Sequence, residues 1–387
     1  MGDPGSMSAL FPIMGAIFVA FLVTGIAMPV LPLHVHEGLG LSTVVVGLVA
    51  ACQFIAALVS RPLAGKHADT RGAKHAVILG LVLASSAGLL YFLSLQVTSL
   101  PVMSVAILLI GRALLGVGES FVITGAQAWG LLLGGPKNTG RVIAWAGSAM
   151  WGAFAAGAPL GAVLYSHLGF TAIAVTTTLV PIAALLVVVR LRQIAPVVRT
   201  RSGLAKVVRA IWLPGLGLAL SCAGFGAMTA FVSLLFAARG WTVWPAFTVF
   251  AGVFILARVF FGHAADKIGG AKIALICVLV ESAGQALLAI APWAELALVG
   301  AALTGFGWSL VYPGFGIEAV RRAPAGQQGT AMGAYTAFLD LALAIASPLL
   351  GLIASNAGIG AVFLASAILV LSAATIAASL LRTREEL

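Results

Sequence analysis

Four ionisable side chains stand inside long apolar runs of this sequence: Arg112, Glu119, Glu281 and Asp340. A charge at the centre of a membrane helix costs about 2.5–3.5 kcal/mol on the insertion scale, so each needs a compensating partner or a chemical task. Asp340 lies near the middle of its run, and a carboxyl group withdrawn from water holds its proton more readily. That suits a group which binds and releases a proton. Arg112 and Glu119 fall on one face of a helix, yet two turns separate their backbones by roughly 10 Å, so a bridge requires both side chains to reach along the axis. Pairing for structure and proton exchange are both open to them. Glu281, with Gln285 one turn on, reads as a hydrogen-bonded structural residue.

Other chemistries lack their residues. The sequence has no Gly-x-x-x-x-Gly-Lys-Ser/Thr phosphate loop. No Ser/His/Asp set or carboxylate pair converges on sequence grounds, so the chain is not expected to be an enzyme. His34 and His36 form a lone His-x-His, short of the ligand sets that metals need, and neither metal nor cofactor is expected. Cys52, Cys222 and Cys277 all lie in apolar runs, which argues against a disulfide framework.

The elements that must position these residues are membrane helices. Hydrophobic residues make up 61% of the 387 positions and charged residues 8%, against roughly 25% charged in a soluble domain. Polar breaks divide the chain into twelve apolar runs, near 9–33, 42–64, 74–95, 101–131, 140–165, 169–191, 210–237, 243–263, 271–291, 295–319, 328–353 and 359–381, each of spanning length. The net charge of +10 would suggest nucleic acid as partner of a soluble protein, but here it collects in alternate connections. Lys66, Arg71 and Lys74 follow the second run, Lys137 and Arg141 the fourth, Lys267 and Lys272 the eighth, Arg321 and Arg322 the tenth. Those connections are expected to face the cytoplasm, together with both termini. No cleavable signal is evident, and Met1–Ser6 resembles an expression remnant. The basic stretch 192–209 reads as a linker resting on anionic headgroups. It divides the chain into an N-terminal bundle, 1–191, and a C-terminal bundle, 210–387.

The bundles are copies of one another. Arg61, Gly65, Asp69 and Gly72 recur in register as Arg258, Gly262, Asp266 and Gly269, with an Ala-Asp pair in each. Gly116, Gly118, Ser120 and Gly125 likewise match Gly305, Gly307, Ser309 and Gly314; Gly140 matches Gly329, and Pro159 matches Pro348. The second offset is the smaller, which implies a deletion before the tenth run. An internal repeat of helices predicts two pseudo-symmetric six-helix bundles with a cavity between them. On this register the counterpart of Asp340 is Trp151, so the acid was not inherited as half of a symmetric pair.

These residues resemble the major facilitator superfamily, in particular its twelve-helix bacterial branch of drug:proton and sugar efflux proteins. Gly65 to His75, with Asp69 and Arg71, is similar to that family's loop between helices 2 and 3. Arg112, Gly116 and Gly118 resemble its Arg-x-x-x-Gly-x-Gly pattern of helix 4, and Pro29 and Pro32 its Pro-x-x-Pro at the end of helix 1. Gly157 to Gly161 resembles the antiporter pattern of helix 5, with Ala158 and Ala162 in place of glycines. The resemblance implies a gate at the cytoplasmic side, with Asp69 meeting the helix that starts near Gly329 and Asp266 the one near Gly140. It also implies a cavity lined from helices 1, 4, 7 and 10, for which Thr24, Gln127, Trp129, Phe225, Met228, Phe231, Trp308 and Tyr312 are candidates, with Gln53 from helix 2. Aromatics with few polar groups suit a weakly polar or amphipathic solute.

The expected activity is proton-coupled export of small organic molecules by a monomer in the bacterial inner membrane, with Asp340, Glu119 and Arg112 as coupling residues. Import of a sugar or organic acid, and lipid flipping, remain open alternatives, and a transporter-like sensor would need a further cytoplasmic domain.

Overall fold

The computed structural model describes residues 10–134, 139–193, 204–262, 264–324 and 328–385, without the side chains at 139–141, 143, 144, 204, 265, 266, 328, 329 and 383–385. Among them the protein is all-α. Its long helices are α1 Leu10–Ala27, α2 Thr43–Arg71, α3 Ala73–Leu95, α4 Pro101–Gly134, α5 Thr139–Arg190, α6 Leu204–Ala238, α7 Trp244–Phe261, α8 Gly270–Ile290, α9 Ala294–Arg322, α10 Gln328–Ala357 and α11 Ile359–Glu385. All eleven contain a stretch long and apolar enough to cross a membrane, so this is a multi-pass membrane protein.

Eleven long helices stand against twelve expected runs because the fifth and sixth runs are two helical segments that abut at a kink and are taken together as α5. α5 extends over 52 residues and is broken inside at Gly169, with φ 67° and ψ −168°. Only glycine adopts that backbone without a Cβ clash. Tyr165, Ser166 and His167 supply the short polar break just before it.

Two ends differ from the sequence boundaries. α2 continues through Gly65, Asp69 and Thr70 to Arg71, so the first copy of the repeated motif is the last turns of a helix rather than a loop. Ala64 and Ala68, both buried, keep that stretch helical and packed against Ala76 and Phe121. In the second copy α7 stops at Phe261, and a short helix, Ala264–Ile268, follows. Both copies then turn at glycine, Gly72 with φ 101° and Gly269 with φ 96°. α6 begins at Leu204, so Lys206 and Arg209 of the expected linker are helical; 194–203 lie outside the described residues.

The chain forms two compact units, Met1–Gly40 with Cys52–Thr200, and Leu41–Ala51 with Arg201–Leu387. In the first, α5 packs on α1 and α3, and α4 on α3 and α1. In the second, α8 packs on α9 and α11, α6 on α10, α11 and α9, and α7 on α9. Thr43 belongs to this second unit and donates its hydroxyl to the Gly351 carbonyl at 3.0 Å.

Candidate functional site: a polar triad in one unit and an aromatic triad in the other

In the first unit α2 and α4 touch where Gly116 faces Gln53: a Cβ on Gly116 would lie 2.1 Å from the Gln53 backbone oxygen. That contact brings the Gln53 side chain beside Glu119, one turn further along α4, and Thr24 of α1 completes the group. Thr24 Oγ1 donates to Glu119 Oε1. The Gln53 amide donates to Glu119 Oε2 at 2.6 Å and to Thr24 Oγ1 at 3.2 Å. All three are buried. The acid is thus held by two neutral donors in a closed ring of hydrogen bonds.

Arg112 is buried on the same helix, and its guanidinium donates to the Tyr91 hydroxyl at 3.4 Å. Its Nε has no hydrogen-bond partner among the described residues. Tyr91 lies within electrostatic reach of both Arg112 and Glu119. The sequence reading missed Tyr91, which gives no signal beyond a tyrosine in an apolar run.

In the second unit the corresponding contact recurs: a Cβ on Gly305 would lie 2.3 Å from the Phe250 backbone oxygen. Phe250 therefore takes the place of Gln53. Trp308, one turn after Gly305, takes that of Glu119, and Phe225, which precedes Gly226 as Thr24 precedes Gly25, takes that of Thr24. Phe225 stacks on Trp308 with centroids 5.1 Å apart and planes 13° off parallel, and on its other side lies 6.3 Å from Phe250. Met228 and Phe231 are fully buried on the same helix. Tyr312 is half-buried, its hydroxyl 3.1 Å from Thr336 Oγ1, and Tyr335 donates to its carbonyl at 2.8 Å.

Asp340 is buried midway along α10. Glu281 is completely buried on α8, and neither of its carboxyl oxygens has a hydrogen-bond partner among the described residues. The expected pairing with Gln285 is absent, because the Gln285 amide donates instead to the Gly224 carbonyl and to Thr304 Oγ1, each at 3.3 Å. A further buried acid escaped the sequence reading. Glu318, on α9, receives Arg321 at 2.7 Å and also Arg322, and accepts the Ala271 backbone N–H at 3.3 Å, capping the start of α8.

Of the gating candidates, Arg258 has the clearest task. Pro313 has no N–H to offer the carbonyl one turn back, and Arg258 donates to that carbonyl, Ser309 O, at 2.8 Å. Gly262 ends α7, its N–H bonded to the Arg258 carbonyl at 3.0 Å. Arg61, Gly65 and Asp69 are half-buried on α2, and Arg71 is exposed, its carbonyl 2.8 Å from His75 Nδ1. The side chain of Asp266, and the Gly140 and Gly329 positions named as partners of the two acids, lie outside the description. Gln127 is half-buried, and Trp129 is buried with its indole N–H unbonded among the described residues. His34 stacks on Phe170 at 3.9 Å, and among the described residues no group of three or more His, Cys, Asp or Glu gathers as a metal requires.

The family model described as Major Facilitator Superfamily matches residues 13–246 and 240–387. The chain is 42% identical over 374 residues to the MFS-type transporter STM4428 of Salmonella typhimurium, covering 96% of each. It is 40% identical over 358 residues to the MFS-type transporter YhhS of Escherichia coli K12, covering 91% of this chain and 87% of that one. In fold it is similar to the human organic anion transporter MFSD10, with a TM-score of 0.70, 17% identity and coverage of 97% and 100%. An auto-inhibited POT family peptide transporter gives a TM-score of 0.76 at 12% identity, covering 97% of both chains.

Proposed function

This chain belongs to the Major Facilitator Superfamily, and from that premise we propose that it is a proton-coupled exporter of small organic molecules. Members of that family move solutes and perform no catalysis, so the chain is a secondary transporter and not an enzyme. The observation that carries the proton-coupled reading is the buried Glu119 held by Thr24 and Gln53. A carboxylate buried away from water is costly and is relieved by taking up a proton. The same hydrogen-bonded ring can re-form around the protonated acid with one donor reversed, so the site tolerates both charge states. Asp340 supplies a second carboxyl in the other unit, and Arg112 with Tyr91 sets the field on Glu119.

In this reading α5 crosses the membrane twice about Gly169, which gives twelve crossings and places both termini in the cytoplasm. Residues 1–191 and 210–387 rock as two bundles about the solute, with Asp69 and Asp266 as latches of the cytoplasmic gate. The aromatic group Phe225, Phe250 and Trp308, with Tyr312, favours a weakly polar or amphipathic solute over a highly charged one.

The test takes two steps. A thermal-shift screen of the purified protein against drugs, sugars and metabolites supplies a solute. Inverted membrane vesicles energised by an acidic interior should then accumulate it, and collapse of the pH gradient should abolish accumulation. Accumulation by right-side-out vesicles in its place would establish import, and indifference to the gradient would refute proton coupling.

A further inference from the structure

Glu281 is the buried acid that coupling through Glu119 and Asp340 leaves unused. It sits midway along α8, about 15 Å from either end. α6 lies directly against it: a Cβ on Gly224 would fall 2.4 Å from Glu281 Oε1, so a larger residue there would make the carboxyl group shift. Counted from the turn glycines Gly72 and Gly269, the repeat partner of Glu281 is Ala84. In the first unit Ala84 belongs to a wholly apolar cluster with Val23, Ala87 and Leu115. The carboxyl group was therefore introduced into one copy of an apolar contact and accommodated by glycine.

Among the described residues, no ion pair or hydrogen bond reaches the Glu281 carboxyl group. α8 itself presents Cys277, and α6 presents Cys222, which feels both Glu281 and Asp340 electrostatically. α9 presents Thr304 and Gly307, and α11 presents Val370 and Ser366. Charged groups stand toward the ends of α8: Lys272 on the helix itself, Glu318 at Ala271, and Arg239 on the carbonyls of Ala289 and Ala291. A bare carboxylate so placed is strongly disfavoured, whereas the protonated acid is neutral.

We propose that Glu281 is a second proton-binding site of the C-terminal unit, protonated while α6 closes over it at Gly224 and deprotonated when α6 draws away. On opening, the carboxyl O–H bond breaks, the proton passes to entering water, and the same water solvates the carboxylate. Cys222 on α6 lies within electrostatic reach of both Glu281 and Asp340. The inference rests on the proton-coupled reading and extends it from two carboxyl groups to three.

Infrared difference spectroscopy on the protein reconstituted in lipid vesicles tests it without any solute. The parent, grown with isotope-labelled glutamate, should show a label-shifted carboxylic C=O band that comes and goes reversibly as pH is stepped across the neutral range. In Glu281→Gln that band should be lost. In Glu281→Asp, which keeps the acid should the glutamine variant not fold, it should be replaced by an unlabelled aspartic acid band. A band unaltered in both variants overturns the proposal, as does a Glu281 band that persists at every pH. Loss of the band at constant pH on exchanging choline for sodium would assign a cation site instead and also overturn it. Because no transport is read, failure here leaves the roles of Glu119 and Asp340 intact, and their failure in vesicle transport leaves this band in place.

Discussion

The two units use the same helix contacts for opposite chemistry. Where the first sets Thr24, Gln53 and Glu119 in a hydrogen-bonded ring, the second sets Phe225, Phe250 and Trp308 in a stack. One layer away the exchange is reversed: the first unit packs Val23, Ala84 and Leu115, and the second packs Gly224, Glu281 and Thr304. Asp340 against Trp151 is a third such exchange, now with the acid in the second unit. Duplication supplied a scaffold of glycine-mediated contacts, and divergence moved the acids to different depths of it. Under the proposed proton-coupled reading, that inequality gives the two units different ligands to hold.

The largest effect should come from Asp340→Asn. Gradient-driven accumulation should fall to background while exchange of solute at equal pH survives. Concentrative transport with unchanged pH dependence would place the second unit's acid outside the coupling path. Next, Trp308→Ala removes the centre of the aromatic stack and leaves a cavity. A loss of about 3–5 kcal/mol, expected from large-to-small changes in packed cores, should appear as a lowered melting temperature with pH dependence intact. If Trp308→Ala alters the pH profile rather than stability, the aromatic triad takes part in proton coupling and the contrast between the units fails.

Gln53→Leu tests the polar triad from its neutral side. Stranding Glu119 Oε2 should cost about 1–3 kcal/mol, and the pH at which transport is half-maximal should rise, since the charged form of Glu119 loses a donor while the protonated form loses less. A profile that stays in place would show that Gln53 packs without bonding the acid. The smallest effect belongs to the turns. Gly269→Ala should destabilise by about 1–3 kcal/mol through its extended backbone at positive φ, and Gly72→Ala by the same amount, since the two turns are alike.

Much of this was legible in the sequence, and what was not has a definite cause. The repeat showed itself because its glycines are required by contact and by φ, and such requirements fix residue type. Thr24, Gln53 and Glu119 each stood out as polar in apolar runs, but their meeting did not, because 95 and 66 positions of chain separate the bonded pairs. Glu281 was read as hydrogen-bonded because Gln285 lies one turn away; the amide turns to a backbone carbonyl that α6 brings near. The continuation of α2 to Arg71 was hidden by its charges, since polarity marks the edge of the membrane and not the end of a helix. Glu318 escaped notice beside Arg321 and Arg322, where it looked like one more loop charge. The break between the fifth and sixth runs was legible at 165–169, and the kink falls at Gly169.

The central claim is that Glu119, seated between Thr24 and Gln53, is where proton and solute transport are joined. It is tested most directly with proteoliposomes of Glu119→Gln, measuring solute accumulation under an imposed pH gradient beside solute exchange at equal pH. The account predicts that gradient-driven accumulation is abolished while exchange continues at a rate comparable to the parent's. A variant that folds, exchanges solute and still accumulates it against its gradient, with the parent's pH dependence, would contradict it.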